Sequence, residues 1–173
     1  MDTKYSIYLI TGLMASGKST ISELLAEKMD RSVHLHGDIF RKMIISGRET
    51  MSNNLNEEAT RQLNLRYRIA AQVAKEYYNA KFNVIVQDNY YGFSLNEMVE
   101  QLLPYIPKIV VLNPNLDKIK QREETRNKKG YNGFDMKALY DEFIRETPKI
   151  GYWLDTSELT PEETVKNILE YYK

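Results

Sequence analysis

Apolar residues along this chain follow two rhythms that take turns. Short, nearly continuous runs occur at Tyr5-Ser6-Ile7-Tyr8-Leu9-Ile10, Val33-His34-Leu35-His36, Phe82-Asn83-Val84-Ile85-Val86-Gln87-Asp88, Ile109-Val110-Val111-Leu112 and Tyr152-Trp153-Leu154-Asp155. They predict five strands, the β-branched runs reading as strands buried on both faces of a parallel sheet. Between the runs, apolar positions recur at helical spacing. Ile21, Leu24, Leu25 and Met29 mark a helix over about 18–29, and Leu63, Tyr67, Ala70, Ala71, Val73, Ala74, Tyr77 and Tyr78 mark the buried side of the longest one, over about 56–79. Helices are also expected over 95–103 and 136–145. Thr160-Pro161-Glu162-Glu163 opens the last one, with a cap and a proline at its first position. Strands alternating with helices predict an α/β fold, because parallel neighbours need a crossover and the crossover is right-handed. The C-terminal ends of the strands then open on one side of the sheet.

The turn after the first strand carries the most chemistry. Gly12-Leu13-Met14-Ala15-Ser16-Gly17-Lys18-Ser19-Thr20 matches G-x-x-x-x-G-K-[ST] between a predicted strand and an amphipathic run. A glycine-rich turn aims successive N–H groups at phosphate oxygens, and the next helix adds the positive end of its dipole. Lys18 supplies a point charge for β- and γ-phosphates, and the Ser19 hydroxyl is placed to ligate Mg²⁺. The competing reading, a plain glycine turn, does not account for the strand and helix on either side.

Two carboxylates close strands near this loop. Asp38, after Gly37 at the end of the second run, suits a base that takes the proton of an attacking hydroxyl; it suits equally an N-cap for Ile39-Phe40-Arg41-Lys42-Met43, and both roles can hold at once. Asp88, at the end of the third run, resembles the Walker B acid that holds Mg²⁺ directly or through water, and is also ordinary turn chemistry. Arg41, three residues after Asp38, could clamp an anionic acceptor or the moving phosphoryl group, or be solvated. The aperiodic stretch 46–54 reads as a loop in which Arg48 and Met51 are acceptor-side candidates. Tyr90, Tyr91 and Phe93 either wall an apolar pocket for a ring-bearing acceptor or pack beneath their own loop. Arg61, Arg66 and Arg68 on the long helix read as solvated or paired.

The most basic stretch runs from Asp117 to Lys129. Arg122 and Arg126 stand four apart in it, so on a helix both guanidinium groups leave one face, an arrangement suited to the charge developing on a transferred phosphoryl group; the alternative is a solvated helix with Glu–Arg pairs. Lys128-Lys129-Gly130-Tyr131-Asn132-Gly133 reads as a mobile loop able to close over nucleotide. This makes a single domain over 1–173 with a short acceptor-side loop, 41–56, and a short lid, 117–134.

Composition narrows the field. Lys+Arg and Asp+Glu are 24 each, so no global field draws the chain to nucleic acid or to membrane, and phosphate recognition has to be local. Without cysteine there is no thiol nucleophile, Cys-based zinc site or disulfide, which fits a reducing, cytoplasmic setting. The charged start and the short first apolar run resemble neither a signal peptide nor a membrane span.

Taken together, the loop at Gly12 to Thr20, Gly37-Asp38, Val84 to Asp88, Arg122-Glu123-Glu124-Thr125-Arg126 and Leu154-Asp155-Thr156-Ser157 resemble a P-loop kinase of the nucleoside-monophosphate-kinase type, and most closely a chloramphenicol-phosphotransferase-like, AAA-type small-molecule phosphotransferase. The resemblance implies a three-layer P-loop NTPase fold with a five-stranded parallel sheet in the order 2-3-1-4-5 and helices on both faces. It also implies ATP and Mg²⁺, transfer of the γ-phosphoryl group to an acceptor hydroxyl, Asp38 as general base, and adenine held between the lid arginines and the loop at Thr156 and Ser157. The lid is short and the region between Arg41 and Asn56 brief, unlike the large mobile domains of adenylate kinases, so a nucleoside monophosphate is the less favoured acceptor. The expected partners are a nucleotide and a small-molecule acceptor, either an antibiotic or a metabolite. Two other functions fit the motif: a kinase of polynucleotide 5′ ends or nucleotide sugars, against which the neutral charge counts, and a nucleotide-binding switch with slow hydrolysis.

Overall fold

The computed structural model describes residues 4–52, 55–127, 130–131 and 134–173. Its elements alternate as the hydrophobic rhythm requires: β1 Ile7–Gly12, α1 Lys18–Glu27, β2 Ser32–His36, α2 Asp38–Lys42, α3 Glu57–Asn79, β3 Asn83–Gln87, α4 Phe93–Leu102, β4 Lys108–Leu112, α5 Leu116–Thr125, α6 Met136–Glu146, β5 Tyr152–Leu154 and α7 Pro161–Tyr171. The five strands form one sheet in the order β2-β3-β1-β4-β5, and every pairing in it is parallel.

Side-chain alternation divides the sheet's apolar residues between two cores. Ile7, Leu9, Val84, Val86, Ile109 and Val111 face one side, beneath α3, α4 and α6; Tyr8, Ile10, Ile85, Val110, Leu112 and Leu154 face the other, beneath α1 and α7. A strand covered on both faces has no polar side to show, which is why the third and fourth runs are continuously apolar. Helix boundaries follow local chemistry. Asn56 caps α3 by accepting from the Ala59 N–H (2.7 Å), and Thr160 and Glu163 form a reciprocal capping box ahead of Pro161 at the start of α7. Among the described residues no helix is long and apolar enough to cross a membrane.

Two elements end differently from the sequence expectation. The first strand is displaced C-terminally, reaching Gly12, and α5 stops at Thr125, leaving Arg126 with extended backbone (ψ 144°). Arg122 and Arg126 therefore do not leave one helical face together.

Gly12 is where strand becomes loop. Its φ is +145°, and a Cβ there would stand 2.5 Å from the Leu112 carbonyl oxygen. An alanine at this position must both adopt unfavourable backbone angles and push against the neighbouring strand. Gly12→Ala is expected to lower unfolding free energy by roughly 2–4 kcal/mol, whereas Gly47→Ala, whose Cβ meets nothing within 4 Å, should cost clearly less. Urea denaturation of the two variants gives the comparison.

Candidate active site

Parallel pairing sets the site. β1 lies between β3 and β4, and β3 lies between β1 and β2, so the loop after β1, Asp38 after β2 and Asp88 after β3 meet at one edge. The backbone of residues 12–17 turns back on itself there: the Ser16 N–H donates to the Leu13 carbonyl (3.1 Å), and Ala15 has φ +63°. Lys18 Nζ donates to the carbonyls of Gly12 and Leu13, each at 2.8 Å. Desolvation pulls its pKa from 10.5 down to about 7; Asp88 works against that fall and Arg126 adds to it. The Ser19 hydroxyl lies 3.3 Å from His36 Nε2 and 3.4 Å from Gln87 Nε2. Thr20 is an exposed residue of the first turn of α1.

The two carboxylates meet through a cation. Arg66, on α3, is 7% exposed; its Nη2 donates to Asp88 Oδ1 at 2.7 Å, and its Nη1 stands 3.8 Å from Asp38 Oδ1. Asp38 is held in addition by Arg41 Nε (3.1 Å) and Lys42 Nζ (3.2 Å). Burial pushes the Asp88 carboxyl above its ordinary pKa, while Arg66, the Asn89 N–H and Lys18 oppose the rise. The second carboxylate oxygen, Asp88 Oδ2, is buried without a hydrogen-bond partner, as is Arg66 Nε. Arg66 was expected to be solvated or paired, and it is paired. A signal for its place existed: it stands three residues after Leu63 and four before Ala70, on the stripe that faces the core, where a cation needs a carboxylate.

The lid side is tied to the loop. Arg122 donates to the Ser16 carbonyl (3.2 Å), the Thr156 carbonyl (2.9 Å) and the Thr156 hydroxyl (3.5 Å), linking α5, the loop and the end of β5. Ser157 is spent locally: its hydroxyl accepts from the Asn115 N–H (2.8 Å) and donates to Asp155. Arg126 Nε pairs with Glu123 at 3.4 Å. Of the predicted lid loop, Lys128, Lys129, Asn132 and Gly133 lie outside the described residues. Gly130 and Tyr131 are bound down: their N–H groups donate to the Glu123 carboxylate, and the Tyr131 hydroxyl donates to the Met14 carbonyl at 2.8 Å. Nothing in the spacing pointed to Glu123 or Tyr131 as the residues that hold this segment.

Beside the loop opens a cavity of about 590 Å³. Its walls include Met14, Leu63, Tyr67, Tyr91, Phe134 and Leu139, with Arg66, Asn89 and Glu142 as polar members. Of the acceptor-side candidates, Tyr91 and Met51 reach it; Asp38 and Arg41 stand off its walls, next to Arg66. Tyr90 takes the second of its two expected places, packed inward and off the cavity wall. It is fully buried in the core, its ring 4.8 Å from that of Tyr67, and does not line the cavity, because consecutive side chains of an extended segment point opposite ways. Arg48 does not line it either. Its loop is pinned by Gln62, which accepts from the Glu49 N–H (2.9 Å) and donates to the Gly47 carbonyl (2.7 Å).

A buried guanidinium that neutralises a buried carboxylate cannot be removed cheaply. Arg66→Met is expected to destabilise the protein by about 3–5 kcal/mol. Arg61→Met, which removes an exposed, solvent-screened pair with Glu58, should cost far less. Thermal denaturation of the two variants separates these values.

Residues 7–140 match the pattern of a family described as AAA domain. No curated protein matches the chain. Solved structures do. The Deinococcus radiodurans tunicamycin resistance protein superposes with a TM-score of 0.70 at 13% identity over 97% of this chain and 95% of its own. A sugar kinase from Janibacter sp. gives 0.68 at 16% identity over 97% and 94%, and shikimate kinase from Bacteroides thetaiotaomicron gives 0.64 at 17% identity over 96% and 98%. At these identities the likeness is one of fold.

Proposed function

The chain belongs to the AAA domain family, and from that footing we propose that it is an ATP- and Mg²⁺-dependent phosphotransferase that moves the γ-phosphoryl group to a hydroxyl of a small molecule, an antibiotic or a metabolite. The observation that carries this reading is the open cavity of about 590 Å³ beside the phosphate-binding loop, which also borders Arg66 between the two carboxylates. A switch that only holds and hydrolyses nucleotide has no need of a second binding space of that size. Small-molecule acceptors occupy cavities in this range, with mostly apolar walls and a few polar groups.

The residues divide the work by their chemistry. N–H groups of residues 12–17 and Lys18 hold the β- and γ-phosphates, and Arg122, Arg126, Thr156 and Ser157 border the nucleotide on the lid side. Asp38 receives the proton of the acceptor hydroxyl as its oxygen bonds to the γ-phosphorus and the bond to the β–γ bridging oxygen breaks, releasing ADP. Lys18 and Arg126 balance the charge that develops. Tyr91, Leu63 and Leu139 exclude water from the acceptor, which limits transfer to water in place of the hydroxyl. Mg²⁺ suits the donors present: the Ser19 hydroxyl and the orphaned Asp88 Oδ2 are hard oxygens, and this ion takes few protein ligands and completes its shell with phosphate and water. When bound, it neutralises phosphate charge.

The direct test is incubation with Mg²⁺-ATP and pooled hydroxyl-bearing metabolites and antibiotics, followed by mass spectrometry for acceptors that gain a phosphate, with Lys18→Ala as the blank. Phosphorylated product from the wild type alone is expected; slow ADP release without any such product would favour the switch. With an acceptor in hand, Asp38→Asn should lower kcat by about 10²–10⁴-fold and leave nucleotide affinity unchanged.

The depressed Lys18 pKa gives a second expectation. In the free protein the amine is mainly neutral above about pH 7, and phosphate oxygens restore its charge. Metal-free ATP binding at about pH 8 should therefore take up a proton, and affinity should weaken as pH rises above 7. Calorimetry in buffers of different ionisation heat measures the uptake, which Lys18→Met should abolish.

A further inference from the structure

Arg66 and Gly37 have no chemical task in the scheme above, yet between them they decide where Asp88 points. On one side of that carboxylate, Arg66 Nη2 and the Asn89 N–H both donate to Oδ1, at 2.7 and 2.8 Å. On the other side lies Gly37, where a Cβ would collide with Asp88 Oδ2. Gly37 cannot retreat, because its N–H is bonded to the Gln87 carbonyl at 3.0 Å as the last rung between the ends of β2 and β3. A carboxylate turns easily about its terminal bond, so two donors on one oxygen and a bare backbone against the other select which oxygen is engaged and which is presented. The oxygen left without a hydrogen-bond partner is Oδ2.

The same guanidinium extends its other end to within 3.8 Å of Asp38 Oδ1. A planar fork addresses two carboxylates with its donors in a preset geometry, which an ammonium on a flexible stem does not impose. We propose that Arg66 and Gly37 are positioning residues: they aim Asp88 Oδ2 at the cation that accompanies the nucleotide, and Arg66 fixes that carboxylate relative to Asp38. The inference rests on the metal role proposed for Asp88 and goes beyond it in assigning the residues that make Asp88 competent. Residues that orient a metal-binding side chain change metal affinity by about 10–100-fold when replaced.

The test is calorimetric titration of ATP, once with Mg²⁺ and once with EDTA, into wild type, Arg66→Lys, Arg66→Met, Gly37→Ala and Asp88→Asn. The affinity in EDTA serves as each variant's own reference. The gain in affinity that Mg²⁺ provides should fall about tenfold or more in Arg66→Met and Gly37→Ala, and by less in Arg66→Lys. Gly37→Ala removes no charge and strands no partner, so it carries the prediction where Arg66→Met fails to fold. In the metal-free, nucleotide-free protein the Asn89 amide resonance should move in both variants, since its N–H reports where Oδ1 lies. An unchanged or larger Mg²⁺ gain in folded Arg66→Met or in Gly37→Ala overturns the inference alone when Asp88→Asn has lost the gain. A full gain in Asp88→Asn removes the metal reading and the inference with it.

Discussion

Parallel pairing of β3 between β1 and β2 is the constraint on which the site depends. Register locks it: Ile10 lies beside Gln87, and Gln87 beside His36, so β2 and β3 end at one level and β1 runs two residues past it, to Gly12. The loop after β1, Asp38 and Asp88 are then neighbours through the strand pairing itself. What the sheet cannot do is set the separation and tilt of carboxylates at its rim. That falls to α3, which packs across β2 and β3 and delivers Arg66 between them.

Such an arrangement costs stability. Asp88 and Arg66 are both almost wholly buried, each with one polar atom left without a partner, and desolvation lowers the Lys18 pKa to about 7. Buried ion pairs of this kind seldom stabilise a fold beyond what apolar residues of the same volume would give. Strongly perturbed groups gathered at one sheet edge beside a cavity are what a site for charge-moving chemistry requires. The opposite face, under α1 and α7, is an ordinary apolar core.

The elements were legible because their signals are local. Continuous apolar runs gave the strands, the 3.6 period gave the helices, and Gly12 through Ser19 identified the loop from its own composition; the AAA domain match and the observed strand order agree with the fold expected from the family resemblance. The placement of candidate residues was legible near strand ends, where Asp88 follows Gln87 and Asp38 follows Gly37. Relations between side chains of distant segments were not. Arg66 looked like one cation among several on a long helix, and its pairing with Asp88, 22 residues away, needs the crossover angle of α3. Tyr90 and Tyr91 differ only in which way an extended segment turns them, and composition cannot settle that. Arg126 left the helix because α5 ends a residue earlier than its charge pattern suggested.

The account turns on one claim, that nucleotide phosphates on the loop face the cavity at the end where Asp38 and Asp88 stand. A crystal structure with ADP, Mg²⁺ and aluminium fluoride tests it most directly. The account predicts the fluoride complex between Lys18 and the Asp38 carboxylate, the metal beside Ser19 and Asp88, and the cavity walled by Tyr91 and Leu139 free of nucleotide. Adenine lying in that cavity, or phosphates bound away from residues 12–19, would contradict it.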